Sequence, residues 1–195
     1  MSTKFFGLTG GIGSGKSTLA NIFKQHGISV LDLDQVGHII INEDKEAQHE
    51  LIRAFGERIL NQQHIDRKRL AQVAFASSQN TQILNKIMHP RIQAYESGWR
   101  NQQNAAMAII EASVLIESGG VSRMDALLVV LCDEALRWQR VKQRGNQSKQ
   151  RFDQIVQQQC SDEERIKHAD YIFDNNGCLG HLEQQAIAFL QQQTL

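Results

Sequence analysis

Apolar residues along this chain gather in five short runs: "FFGLT" from Phe5, "ISVLDL" from Ile28, "AMAIIEA" from Ala106, "ALLVVLC" from Ala126 and "DYIF" from Asp170. Between the runs, apolar positions recur at helical spacing, as Leu19, Ile22 and Phe23 do behind the first. Short apolar strands alternating with helices predict a five-stranded parallel sheet covered on both faces, an α/β three-layer fold. The punctuation agrees. Gly27 stands where a helix ahead of the second strand would end, and "SDEE" at 161–164 is a capping box opening the helix before the last strand. "DNNG" at 174–177 then turns the chain into a final helix. From about Gln35 to Gln103 there is no strand-like run, so this interval reads as a helical insertion. Within it Asp66 caps the helix carrying Leu70, Val73, Ala74 and Phe75, and Pro90, the only proline, marks a break between helices after His89.

Composition narrows the function classes. The chain has 195 residues and an ordinary apolar fraction, which suits a folded α/β domain with room for insertions. Lys plus Arg and Asp plus Glu both number 21, so no overall field gathers the chain onto nucleic acid or an anionic membrane. An anionic partner has to be bound locally. "ALLVVLC" is too short to span a bilayer and "MSTKFFGLTG" enters the first strand without a basic and apolar leader, so a cytoplasmic protein is expected. Cys132, Cys160 and Cys178 share no C-x-x-C spacing and are expected as reduced thiols. The triplet "NQS" at Asn146 fits a glycosylation acceptor but has no export signal to go with it. The glutamine runs at 157–159 and 191–193 read as solvated helix faces.

The first strand and the helix after it enclose "GGIGSGKST", in which Gly10, Gly15, Lys16 and Ser17 satisfy G-x-x-x-x-G-K-[ST]. Glycines at 10, 11, 13 and 15 let the backbone take positive φ and approach an anion closely, so that successive N–H groups form a nest. The nucleotide-binding set is therefore Gly11, Gly13, Ser14, Gly15, Lys16, Ser17 and Thr18. Lys16 adds a point charge for the β and γ oxygens, Ser17 offers a hydroxyl to Mg²⁺, and the helix places its positive end beneath the phosphates. ATP and Mg²⁺ are the expected cofactors. The second strand ends in "VLDLD", which brings Asp32 and Asp34 to the carboxyl edge of the sheet, where ligands bind. Glu111 ends the third strand, where many phosphate-loop enzymes keep a carboxylate for the magnesium shell. From Arg137 to Arg151 the chain carries six basic residues and no acid, a segment suited to an anion. For Lys142 and Lys149, a solvated helix face is the better reading.

Taken together, the sequence resembles the dephospho-CoA kinase family over nearly its whole length. The resemblance rests on "GLTGGIGSGKST", "LDLDQVGH", "FGERIL", "IDRKRLAQVAF", "LNKIMHP", "VLIE", the spacing of Arg140 to Arg144, and "ADYIFDNNG". It implies one phosphate-loop kinase domain over 1–195. The nucleotide-binding core would be about 1–34, 104–136 and 160–195, the acceptor-binding insertion about 35–103 and a lid about 137–159. It implies phosphorylation of the ribose 3′-hydroxyl of dephospho-CoA by ATP, the step that completes coenzyme A. Asp34 would be the general base, with Asp32 left to hold a magnesium water or the loop itself. Lys16, Arg140 and Arg144 would share the charge on the transferring phosphoryl. His89 and Glu117 would contact the acceptor. Asn175 would lie near the adenine or, with Asn176, simply suit a tight turn.

Two positions depart from the family pattern. Ser113 stands where a proline is usual, and His38 where arginine is often found, a weaker partner for phosphate when neutral. The alternative is another small phosphate-loop kinase acting on a nucleotide or hydroxyl metabolite. A GTP switch is disfavoured, since "NKIM" at 85–88 has methionine where a guanine-reading carboxylate must be. No nucleic-acid or membrane partner is expected, and the chain is expected as a monomer or weak homo-oligomer.

Overall fold

The computed structural model describes residues 2–145 and 147–193; Asn146, where the "NQS" triplet begins, lies outside the described residues. In chain order the elements are β1 (Lys4–Gly10), α1 (Lys16–Gln25), β2 (Ser29–Asp32), α2 (Leu33–Glu43), α3 (Lys45–Phe55), β3 (Leu60–Asn61), β4 (His64–Ile65) and α4 (Arg67–Ala74). They continue with α5 (Ser78–Arg100), β5 (Met107–Glu111), β6 (Ala126–Leu131), α6 (Glu134–Gln143), α7 (Lys149–Gln158), α8 (Asp162–His168), β7 (Tyr171–Asp174) and α9 (Leu179–Gln193). The chain divides into two compact units, one comprising the chain up to Asp32 and again from Gln103, the other Leu33–Gln102.

The first unit holds the five-stranded parallel sheet, in the order β2-β5-β1-β6-β7. All five predicted runs are its strands. β1 lies at the centre because the chain first steps outward to β2, returns to fill the gap with β5, then crosses to β6 on the other side of β1. That reversal makes the carboxyl end of β1 the switch point at which open α/β sheets bind ligands. Leu127 to Val130 are wholly buried, as expected of a strand covered on both faces. Alternation along β1 turns Phe6 and Leu8 into the same apolar cluster as Leu19 and Phe23 of α1 and Phe189 of α9. Phe189 is its hub, meeting Phe6, Phe23, Tyr171 and Phe173 edge to face with ring centroids 4.9–6.0 Å apart for these pairs and their neighbours. Gly27, at φ 79°, ends α1 as expected.

The second unit is built on capped helices. Asp44, Asp66 and Ser77 cap α3, α4 and α5 by accepting from the backbone N–H groups of Ala47, of Lys68 and Arg69, and of Asn80. Ala47, Leu51, Phe55, Ile59 and Leu70 form its buried interior. Arg91 of α5 joins that helix to α3 through Asp44 at 3.2 Å and Glu50 at 2.9 Å.

Two expectations for this stretch are corrected. It is not helical throughout: β3 and β4 pair antiparallel, Leu60 opposite Ile65 and Asn61 opposite His64. Gln62, at φ 57°, lies in the turn that joins them. Strands of two residues carry no periodicity that a sequence window can detect. Nor does Pro90 break a helix, since α5 runs through it. Proline inside a helix costs on the order of 3 kcal/mol. Here burial of Ile87 and Met88 offsets that cost, and the Arg91 guanidinium donates to Ile87 O at 2.8 Å beside the lost amide.

Candidate active site

The phosphate loop runs from the end of β1 into α1 and is turned by its glycines. Gly13 and Gly15 have φ of 77° and 102°, a region that L side chains resist. Gly11 corrects the expectation, because it is not among the positive-φ residues. A Cβ there would lie 2.0 Å from Arg137 Nη1, so the buried guanidinium would have to shift to admit one. Ser14 N–H closes the turn onto Gly11 O at 3.0 Å. No side chain caps α1, whose N-cap is Gly15, so its first amides face the loop as an anion nest. Lys16 is buried in the first turn of that helix, and Thr18 is half-buried one turn edge away.

Ser17 is exposed, and its hydroxyl donates to Glu111 Oε1 at 3.1 Å. Glu111 itself is buried at the carboxyl end of β5, where the sheet register sets Asp32 of β2 opposite it. A hydroxyl and two carboxylates at one sheet edge are hard oxygen donors of the kind Mg²⁺ takes. The sheet thus brings Ser17, Glu111 and Asp32 to one edge, as the sequence predicts.

The loop is braced from outside by residues of the same unit. Asn175 Nδ2 donates to Ser14 O at 2.7 Å, and Asn175 N–H donates to Leu131 O at 2.9 Å. Arg140 spans three groups: Nη2 donates to Asn175 O at 2.8 Å, while Nη1 reaches Ser14 O at 3.5 Å and Cys132 Sγ at 3.2 Å. Arg140 and Arg144 line a cavity of about 180 Å³ with Gly15, Thr18, Asn175 and Gly177. Asn176 serves the turn, accepting from Asp133 N–H at 2.8 Å. Behind Gly11, Arg137 and Arg165 are both buried, and Asp162 pairs with each, at 3.4 and 2.6 Å.

Glu117, expected at the acceptor, accepts from Cys160 N–H at 2.8 Å, at the end of α7. Burial pushes the Cys160 thiol up to about 11 and raises that of Cys132 as well. Among the described residues the three cysteines are free thiols. In the second unit, Asp34 is the second residue of α2 and exposed, one position inside the helix rather than at a cap. His38 is half-buried beside Gln35 at 3.4 Å, and His89 is half-buried on α5 ahead of Pro90.

One residue escapes sequence reasoning. Gln159 belongs to a run read as a solvated face, and Gln157 and Gln158 are indeed exposed. Gln159 instead accepts from Ile12 N–H at 2.9 Å and donates to Ser113 O at 3.2 Å. No local signal distinguishes it from its neighbours. Its position at the helix cap, where the side chain can turn away from the helical face, is the nearest to one.

The model of the dephospho-CoA kinase family matches residues 4–180. A dephospho-CoA kinase of Corynebacterium glutamicum is 39% identical over 185 residues, covering 92% of each chain. Among solved structures, a protein of Thermus thermophilus aligns over the full length of both chains with a TM-score of 0.89 and 29% identity. Dephospho-CoA kinase from Campylobacter jejuni aligns over 96% of each with a TM-score of 0.70 and 25% identity. With its phosphate loop, parallel sheet and near-complete coverage of these relatives, the chain belongs to the dephospho-CoA kinase family.

Proposed function

We propose that this protein transfers the γ-phosphoryl group of ATP to the ribose 3′-hydroxyl of dephospho-CoA, giving coenzyme A and ADP. The observation that carries the reading is the family match over 4–180, which takes in the phosphate loop, both sheet-edge carboxylates and the closing "ADYIFDNN".

The chemistry needs little beyond positioning and charge stabilisation. The amides of Gly13 and of Gly15 to Thr18 hold the phosphates, and Lys16 sets its ammonium against the β and γ oxygens. Asp34 accepts the 3′-hydroxyl proton while that oxygen bonds to the γ-phosphorus and the bond to the β–γ bridging oxygen breaks, its electron pair leaving with ADP. Ser17 and Glu111 would hold Mg²⁺, with Asp32 ordering its water; the exposed hydroxyl already directed at the buried carboxylate fits that role. A metal held there would supply neutralisation of the phosphate charge. Arg140 and Arg144, which line the cavity beside Thr18 and Asn175, are the guanidinium groups assigned to share the charge on the transferring phosphoryl. His89 and Glu117 remain assigned to the acceptor side, with residues 35–103 or thereabouts as its binding region and about 137–159 as the lid.

A coupled assay of ADP release tests the proposal. Release should require dephospho-CoA and Mg²⁺ and should not occur with AMP or shikimate in place of the acceptor. Release with shikimate alone would replace it with the other kinase reading. A cytoplasmic location and a monomer or weak homo-oligomer complete the proposal, checked by fractionation and sedimentation.

A further inference from the structure

Gln159 connects segments that the reaction must keep in register. Its carboxamide oxygen takes the N–H of Ile12, the residue between Gly11 and Gly13 at the crown of the phosphate loop. Its nitrogen donates to the carbonyl of Ser113, two residues past Glu111. The next residue, Cys160, gives its N–H to Glu117 further along the same segment. A single amide therefore links the C-terminal end of α7, the phosphate loop and the strand end that bears the metal-site carboxylate. Towards its other end α7 is fixed by Phe152, which is wholly buried and meets the Trp138 ring of α6 at 5.5 Å with the rings tilted by 52°.

The loop crown has reason to need this link. Glycine on either side of Ile12 leaves its backbone little restrained by its own neighbours. The anion nest, however, works only if its amides already point inward when the phosphates arrive, because reorganising them during transfer forfeits the electrostatic stabilisation. A half-buried side chain that satisfies the crown amide, and is itself held by a carbonyl, supplies that restraint.

We propose that Gln159 is a positioning residue for phosphoryl transfer: it sets the phosphate loop against the Glu111 segment from the end of the lid helix. The groups it bonds are the Ile12 amide and the Ser113 carbonyl. The inference rests on the kinase reading, and wild-type turnover of dephospho-CoA tests that reading separately.

The experiment compares Gln159→Ala, Gln159→Met and Gln159→Glu with the wild type, measuring kcat, both KM values, the thermal midpoint and amide exchange at Ile12. Methionine keeps the volume and loses both bonds, so it controls for packing if alanine fails to fold. Glutamate keeps an acceptor for Ile12 but sets a carboxylate against Ser113 O. Losing a hydrogen bond of this kind should lower kcat of the folded Met variant about tenfold, with KM for dephospho-CoA within about twofold. Ile12 exchange should quicken in the Ala and Met variants and stay slow in Glu, which should retain more turnover than Met. A Met variant with wild-type kcat, or one whose kcat loss appears without faster Ile12 exchange, would overturn the assignment.

Discussion

Gly15 offers the sharpest test of how the phosphate loop is held. Replacing it with alanine meets two separate obstacles. At φ 102° and ψ 18°, an L side chain is strained by roughly 1–2 kcal/mol. The new Cβ would also stand 2.1 Å from Asn175 Nδ2, too close to coexist with the 2.7 Å bond from that nitrogen to Ser14 O. Losing a buried bond of this kind costs about 1–3 kcal/mol. The sum, about 2–5 kcal/mol, corresponds to a midpoint lowered by roughly 4–20 °C in a chain of this size. The two costs can be separated by a double-mutant cycle. In an Asn175→Ala background the clash has no target, so Gly15→Ala should then cost only its backbone strain. The coupling measured by chemical denaturation of the four proteins should be about 1–3 kcal/mol, in the direction that makes the double variant less destabilised than the sum. Additivity within about 0.5 kcal/mol would refute the idea that Asn175 braces the loop against this glycine.

Asp34→Asn should lower kcat by about 10² or more while ATP affinity stays nearly constant, whereas Lys16→Ala should weaken both, since its charge meets phosphate in the ground state; calorimetry with steady-state kinetics separates them. Ser14 Oγ is buried with no hydrogen-bond partner among the described residues, so Ser14→Ala should leave stability unchanged or slightly raised, by less than about 1 kcal/mol in thermal denaturation. The Cys160 thiol, raised by burial from 9.0 to about 11, should stay protonated at pH 8–9, and iodoacetamide should label exposed Cys178 first. Because the unfolded thiol ionises first, the stability this residue contributes is complete below pH 9 and fades as pH rises toward 11; Cys160→Ser should flatten that alkaline loss.

The sheet was legible because each strand carries a short apolar run, clearest in β6, whose Leu127 to Val130 are wholly buried. Ser17 and Glu111 were legible for a related reason: the phosphate-loop spacing and the end of a strand fix where each side chain emerges. The hairpin at Leu60–Ile65 was not, since its pairs rest on a turn residue, Gln62, whose type does not announce a left-handed backbone. Pro90 misled because the rule for proline is local, while the packing that carries α5 through it is tertiary. Gly11 looked like one more flexible joint, and only the position of Arg137 reveals a steric demand. Gln159 was hidden most completely. Its partner in the loop lies 147 positions away, and nothing in a run of three glutamines says which one turns inward.

The stretch Leu33–Gln102 leaves the sheet after one strand and returns before its neighbour, as a single uninterrupted excursion. Every loop amide, the Ser17–Glu111 pair and the Gln159 tie fall outside it. On the proposal that this excursion binds the acceptor, a mutant library confined to it, with Asp34 held constant, should vary acceptor preference while sparing the phosphate loop and the Ser17–Glu111 pair. Selection on alternative alcohols could begin there without first repairing a damaged donor site.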